Sequence, residues 1–141
     1  MPETQAFLKL TNEGAFKVLN KAVEHATLDG VPECIAIVDP GGHLLAFTRM
    51  DGAFTQSIDS AIAKARTAAS FGVPTGYGNV SNEIKLQIAS KGERVNLFGG
   101  LPIIVDGHVI GAIGIGSATG EEDLALAKIA ITALEGAQRF D

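Results

Sequence analysis

The sequence predicts an α/β (α+β) fold in which helices cover a largely antiparallel sheet. Three observations carry this. First, the apolar segments at 34–39 and 43–49, and again at 101–105 and 108–116, are separated by Pro-Gly-Gly and Asp-Gly. Such turns suit hairpins and are too short for a parallel crossover. Second, three longer segments carry apolar residues at three-four spacing, the period of a helix with one buried face. Third, the chain has 141 residues, 46% of them hydrophobic. That suffices for one domain with a sizeable core, spanning 1–141, and leaves little for a second.

The elements follow in order. Residues 11–29 read as a helix with Ala15, Val18, Leu19, Ala22, Val23 and Ala26 on its buried face. Gly30 and Pro32 stop it. CIAIVD and HLLAFTR are the first strand pair. Residues 54–72 form a second helix, with Ile58, Ala61, Ile62, Ala65 and Ala69 inward, ended by Gly72 and Pro74. Residues 73–99 hold either a short helix capped by Ser81 or Asn82, or a loop over a pocket mouth. VNLF at 95–98 and LPIIV at 101–105 read as strands, and HVIGAIGIG returns from the Asp106-Gly107 turn. Thr119, with Glu122 three residues on, is a capping-box signature for a last helix over about 120–138.

Composition narrows the function. The net charge of -5 disfavours nucleic acid or an anionic membrane surface as partner. No apolar run approaches the ~18 residues of a membrane-spanning helix. Cys34 is the single cysteine, so no intrachain disulfide forms and a cytoplasmic setting is expected. MPETQAFLKL lacks the apolar core of a signal peptide; a leader removed upstream stays compatible with that.

The glycines at 111, 114, 116 and 120 sit between a strand and a helix, close to a dinucleotide fingerprint. The preceding strand belongs to a hairpin, and too little chain follows to present an acidic residue to a ribose. Glycines that let a strand bend, or let a helix or ligand approach, fit better. A small anion at Ser117 and Thr119 would meet Glu121, Glu122 and Asp123 in the same helix turn.

IAIVDPGGHLLAFTRMDGAFTQSIDSAIAKARTAASFGVPT, followed by GGLPIIVDGHVIGAIGIGSATGEEDLALAKIA, resembles the GlcG/HbpS (DUF336) family. That family includes extracellular haem-binding proteins and the C-terminal domain of PduO-type corrinoid adenosyltransferases. The resemblance covers about residues 11–137. It implies a profilin-like three-layer α/β/α sandwich with a five-stranded antiparallel sheet. It also implies homo-oligomers, octamers among them, and haem as a ligand of some members. Some members sit beside catabolic genes for glycolate, propanediol or aromatic compounds. The family often reads Ser-Gly-Gly where this chain reads Gly116-Ser117-Ala118.

Candidate site residues follow. Arg49 and Lys64 are expected to converge on a carboxylate or propionate, with Thr67 adding a hydroxyl three residues along the helix from Lys64. The plain alternative is surface pairs, Arg49 with Asp51 and Asp59 with Lys64, worth well under ~1 kcal/mol. Gly99 and Gly100 belong to the same expected cofactor-binding set, and Glu93 and Arg94 precede them. Haem iron takes a His, Met or Cys donor. His43 and His108 each open a strand beside a turn, and both are candidate metal ligands as well as ordinary rim histidines. Met50 and Cys34 are further donors, with Cys34 fitting a small core residue equally. Asp39 is either a general base or the cap of the Pro-Gly-Gly turn. The expected function is a small-molecule-binding protein for haem or a related tetrapyrrole. The alternatives are a small enzyme or accessory protein acting on a carboxylated intermediate of organic-acid or aromatic catabolism, and a purely structural oligomer.

Overall fold

The computed structural model describes residues 2–141. In chain order the elements are α1 (Asn12–Asp29), β1 (Cys34–Val38), β2 (Leu44–Arg49), α2 (Ser57–Phe71), α3 (Val80–Ala89), β3 (Gly100–Val105), β4 (His108–Gly116) and α4 (Gly120–Ala130), with a 3₁₀ turn at Ile131–Ala133. The sheet order is β2-β1-β4-β3, and every neighbouring pair is antiparallel. Both hairpins form where the short turns require them.

Alternation along the strands sorts the core into two layers. Ile35, Ile37, Leu101, Ile103, Ile113 and Ile115 face α1 and α4 and are fully buried. Burial of this kind stabilises by roughly 1.5–3 kcal/mol per side chain. The opposite face presents Cys34, Ala36, Val38 and Ala112 to the alanines of α2. Here small meets small, so α2 lies very close to the sheet. Gly114 shows how close: a Cβ there would collide with Ala61 O and come within 2.5 Å of Ala65 N. The glycine string therefore admits a helix backbone.

The ends of the helices are chemically set. Thr11 Oγ1 accepts from Gly14 N at 3.0 Å, and Gly30 ends α1 at φ 70. At α4, Thr119 Oγ1 accepts from Glu122 N and Glu122 Oε1 accepts from Thr119 N, each at 3.1 Å, which completes the expected capping box.

Three expectations need correction. The sheet has four strands, where the resemblance implies five. Residues 95–98 form no strand, because side chains claim their backbone: Val95 N donates to Thr67 Oγ1 at 3.1 Å, and Leu97 O accepts from Thr75 Oγ1 at 2.5 Å. The last helix stops at Ala130. Beyond the 3₁₀ turn the chain runs along the edge of β3, with Val105 bridging Ala137 and Gln138 N donating to Ile104 O at 2.7 Å. An edge strand offers unpaired backbone groups, and the tail satisfies them. In 73–99 the short helix does form, two to three residues earlier than expected, capped by Asn79.

Candidate functional site

Strand register divides the expected residues between the two ends of the sheet. Cys34 pairs with Arg49 and with Gly116, and Gly100 with Gly114, so Arg49, Gly99 and Gly100 lie at one end. The turns carrying His43 and His108 lie at the other.

At the first end Lys64 is committed. Its Nζ donates to Ile115 O at 2.7 Å and to Asp123 Oδ2 at 3.0 Å. Both side chains are buried, 5% and 2% exposed. Gly99 makes room for the ammonium, since a Cβ there would lie 2.6 Å from Ile115 O and 3.1 Å from Lys64 Nζ. A Cβ at Gly100 would lie 2.5 Å from Lys64 O. Arg49 turns elsewhere, its Nη1 donating to Ala53 O at 3.3 Å. The expected convergence of Arg49 and Lys64 thus gives way to an ion pair between Lys64 and a residue near the start of α4.

Glu33, just before β1, completes this buried group. Its pKa is pushed up to about 9 by burial, then by the neighbouring Asp123 charge and a hydrogen bond to Asp123. Burial pushes Asp123 upward as well, with Lys64 pulling it back. Lys64 and Ala118 N–H both stabilise the Asp123 carboxylate, so Glu33 is the acid that keeps its proton. Nothing in the sequence around Glu33 signals this; it comes from three distant segments meeting.

At the other end a cleft of ≈ 550 Å³ opens between the β1–β2 turn, the second half of α2 and the segment after α3. Arg66, Thr67, Phe71 and Arg94 line it together with Gly41 and Gly42. A smaller cleft of ≈ 200 Å³ adjoins it and shares Thr67, Phe71 and Arg94. Arg94 is fixed from two sides. Its Nε and Nη2 donate to Glu83 at 3.1 and 2.7 Å, and its guanidinium carbon lies 3.9 Å from the centre of the Phe71 ring. The Arg94 hydrogen bonds hold the Glu83 carboxyl below its ordinary range. Arg66 makes only an exposed pair with Glu93 at 3.4 Å. Thr67 is already engaged, donating to Ala63 O at 2.7 Å and accepting from Val95 N.

His43 follows Gly41 and Gly42, which line this cleft, on the same turn, but is not itself among the lining residues. Its Nδ1 lies 3.1 and 3.2 Å from the two carboxylate oxygens of Asp39, and its side chain is 78% exposed. Asp39 Oδ1 also accepts from the backbone N–H groups of Gly41 at 2.9 Å and His43 at 3.0 Å, which is the turn cap. Burial raises the Asp39 carboxyl, but these hydrogen bonds and the His43 ring outweigh it and hold the group below its usual range. With Nδ1 turned to a carboxylate, Nε2 is left as the outward acceptor, the arrangement of many metal-binding histidines. His108 is exposed at the β3–β4 turn. Cys34 is fully buried, and burial pushes its thiol up, as suits a core residue. Met50 packs against the larger core. Among the described residues no three His, Cys, Asp or Glu side chains are grouped to hold a metal ion by themselves.

The fold and its cleft define a small mixed α/β domain built on an antiparallel sheet. The chain belongs to the HbpS-like family: the family model described as haem degrading protein HbpS-like matches residues 10–132. It is 35% identical to protein GlcG of Escherichia coli K12 over 107 residues, covering 75% of this chain and 80% of that one. Among solved structures it is similar to Klebsiella pneumoniae ORFY, a DUF336 protein, at TM-score 0.89 and 29% identity, covering 98% and 99% of the two chains. It is also similar to a PduOC:heme complex at TM-score 0.85 and 28% identity, covering 95% and 100%.

Proposed function

We propose that this protein binds haem or a related tetrapyrrole in the cleft beside the β1–β2 turn. The observation that carries this is the Asp39–His43 pair. It orients an exposed imidazole with Nε2 outward, on the same turn as Gly41 and Gly42, which line a cleft walled by Phe71 and two guanidinium groups. The residues fit the group chemically: His43 supplies the iron donor, and Arg66 and Arg94 take the acid groups that the sequence assigned to Arg49 and Lys64. Thr67 also lines the cleft. Bound haem would supply an iron centre there. The solved haem complex of a relative with the same fold supports the choice of ligand.

Homo-oligomerisation, octamers included, belongs to the same reading. The structure offers a surface for it. On α3 the acidic Glu83 points inward, while Val80, Ile84 and Ile88 are outward and exposed. No helix among the described residues is long and apolar enough to cross a membrane. A cytoplasmic location is part of the proposal.

Titration with haemin, followed by visible absorption, tests the reading. A saturable Soret shift that His43→Ala weakens supports it. Absence of any shift at micromolar haemin removes haem.

A further inference from the structure

α3 is packed inside out. Of its 10 residues only Glu83 is buried, while Val80, Ile84, Leu86 and Ile88 are exposed. It makes no substantial packing contact with any other helix or strand. A helix of that length is marginal in water by itself, so a contact from outside must hold it. Among the described residues, the hydrogen bonds of residues 80–89 stay within 79–92, with one exception. The exception is Glu83, which accepts from Arg94 Nε at 3.1 Å and from Arg94 Nη2 at 2.7 Å. Two charge-assisted bonds side by side are the strong and geometrically specific form of this pairing.

The chain on either side is anchored. Gly78 N donates to Asn96 Oδ1 at 2.9 Å, and Asn96 Nδ2 donates to Gly78 O at 3.2 Å. Val95 N is held by Thr67 Oγ1. Just past the helix, Lys91 and Gly92 take left-handed backbone, at φ 58 and 82, and a Gly92 Cβ would meet nothing within 4 Å. The helix thus hangs between two fixed points, with open space at its C-terminal hinge. Ser90 lines the larger cleft beside the β1–β2 turn, Glu83 lines the smaller one, and Arg94 lines both.

We propose that α3 is a lid over these clefts, latched by the Glu83–Arg94 pair, and that an acid group entering the larger cleft releases the latch by taking Arg94 from Glu83. The release step rests on the reading of that cleft as the ligand site. A second carboxylate can grip this guanidinium with two bonds only through Nη2, which Glu83 already holds. Two carboxylates at one nitrogen repel each other. The ligand acid that wins sends Glu83 to water and leaves α3 with no tie to the body of the domain. Phe71 keeps the guanidinium in place through the exchange, with its ring centre 3.9 Å from Arg94 Cζ.

Hydrogen–deuterium exchange of the full chain, read by mass spectrometry on peptides covering 80–89, tests this. Without ligand, Glu83→Ala and Arg94→Gln are each expected to speed exchange of the α3 amides about tenfold and to leave the sheet unchanged. Alanine is the better helix former, so faster exchange in Glu83→Ala reports the latch and not the preference of the helix itself. Arg94→Gln cuts the same pair from outside the helix, and should one variant fold poorly, the other decides. Haemin is the acid probe. Its binding, followed by absorption, is expected to bring α3 exchange in the wild type to the level of Glu83→Ala, and to be tighter in Glu83→Ala than in the wild type. Wild-type α3 exchange in both variants overturns the proposal, and so does bound haemin that leaves α3 exchange unchanged. Absence of haemin binding overturns the haem reading and with it the release step, while the latch stands or falls on the ligand-free comparison.

Discussion

Lys64 and Asp123, 59 residues apart on helices that cover opposite faces of the sheet, meet at 3.0 Å past its Gly99–Gly116 end. The lysine stem passes through space that glycine leaves, and its ammonium caps Ile115 O on the way. One side chain thus ties the two layers together. It also decides which buried acid ionises, because Asp123 has the cation and Glu33 does not.

Removing that cation should be severe. Lys64→Ala leaves Asp123 buried beside Glu33 with no counter-charge, and breaking a buried pair in this way costs about 3–5 kcal/mol. Urea unfolding followed by circular dichroism measures it. A loss below about 1 kcal/mol, the scale of a surface pair, would show that the pair carries little.

Glu33 sets an alkaline-side dependence. Unfolded, it ionises near 4.5; folded, it keeps its proton to about 9. Between these values the folded state holds the extra proton, so raising the pH favours unfolding. The Glu33 contribution is fully present below the lower value and is lost as pH rises through the window. Glu33→Gln stays neutral throughout. Its melting temperature should decline less than that of the wild type toward pH ~9. Asp39 and Glu83, both held low, contribute stability that is lost as pH falls, and this is common to both proteins. Parallel alkaline slopes for the two proteins would contradict the assignment.

Close packing of α2 makes Gly114 intolerant. Gly114→Ala drives a methyl group into Ala61 O and Ala65 N and is expected to cost about 1–3 kcal/mol or more. Gly107→Ala meets nothing within 4 Å and strains only its φ of 78°, at roughly 1 kcal/mol. Thermal unfolding of the two variants side by side checks the order.

The Asp39–His43 pair should control haem affinity. Asp39→Asn keeps the shape but removes the carboxylate that holds Nδ1. Loss of such a supporting partner lowers metal affinity about 10–100-fold. Haemin titration gives the number; an unchanged affinity would separate His43 from the iron.

The outward face of α3 should govern assembly. Ile84→Glu with Ile88→Lys places charge on its exposed apolar stripe, and sedimentation velocity is expected to show smaller particles than the wild type. An unchanged sedimentation coefficient would move the interface elsewhere.

Much of the fold was readable residue by residue. Pro-Gly-Gly and Asp-Gly turns between alternating apolar segments define two hairpins, and Thr119 with Glu122 marks a helix start, because these signals act within a few residues of one another. VNLF misled because its apolar content says nothing of Thr67 and Thr75, which take its backbone from 22 to 28 positions away. The last helix misled because its stripe continues past Ala130, while the free edge of β3 competes for the same chain. At the site, His43 beside a capped turn was visible as a candidate. Arg94 was visible only as a charge near a turn, since Phe71 and Glu83 fix it from other elements.

By itself, then, the sequence determined the element types, the antiparallel hairpins, the small-residue face that receives α2 and the family to which the chain belongs. Only the tertiary structure decided the partner of Lys64, the protonation of Glu33 and the division of the expected residues between two ends of the sheet. Local signals are set by periodicity and turn stereochemistry over short stretches of chain. Charge pairing and desolvation depend on which distant segments share a buried volume, and that is known only once the layers have packed.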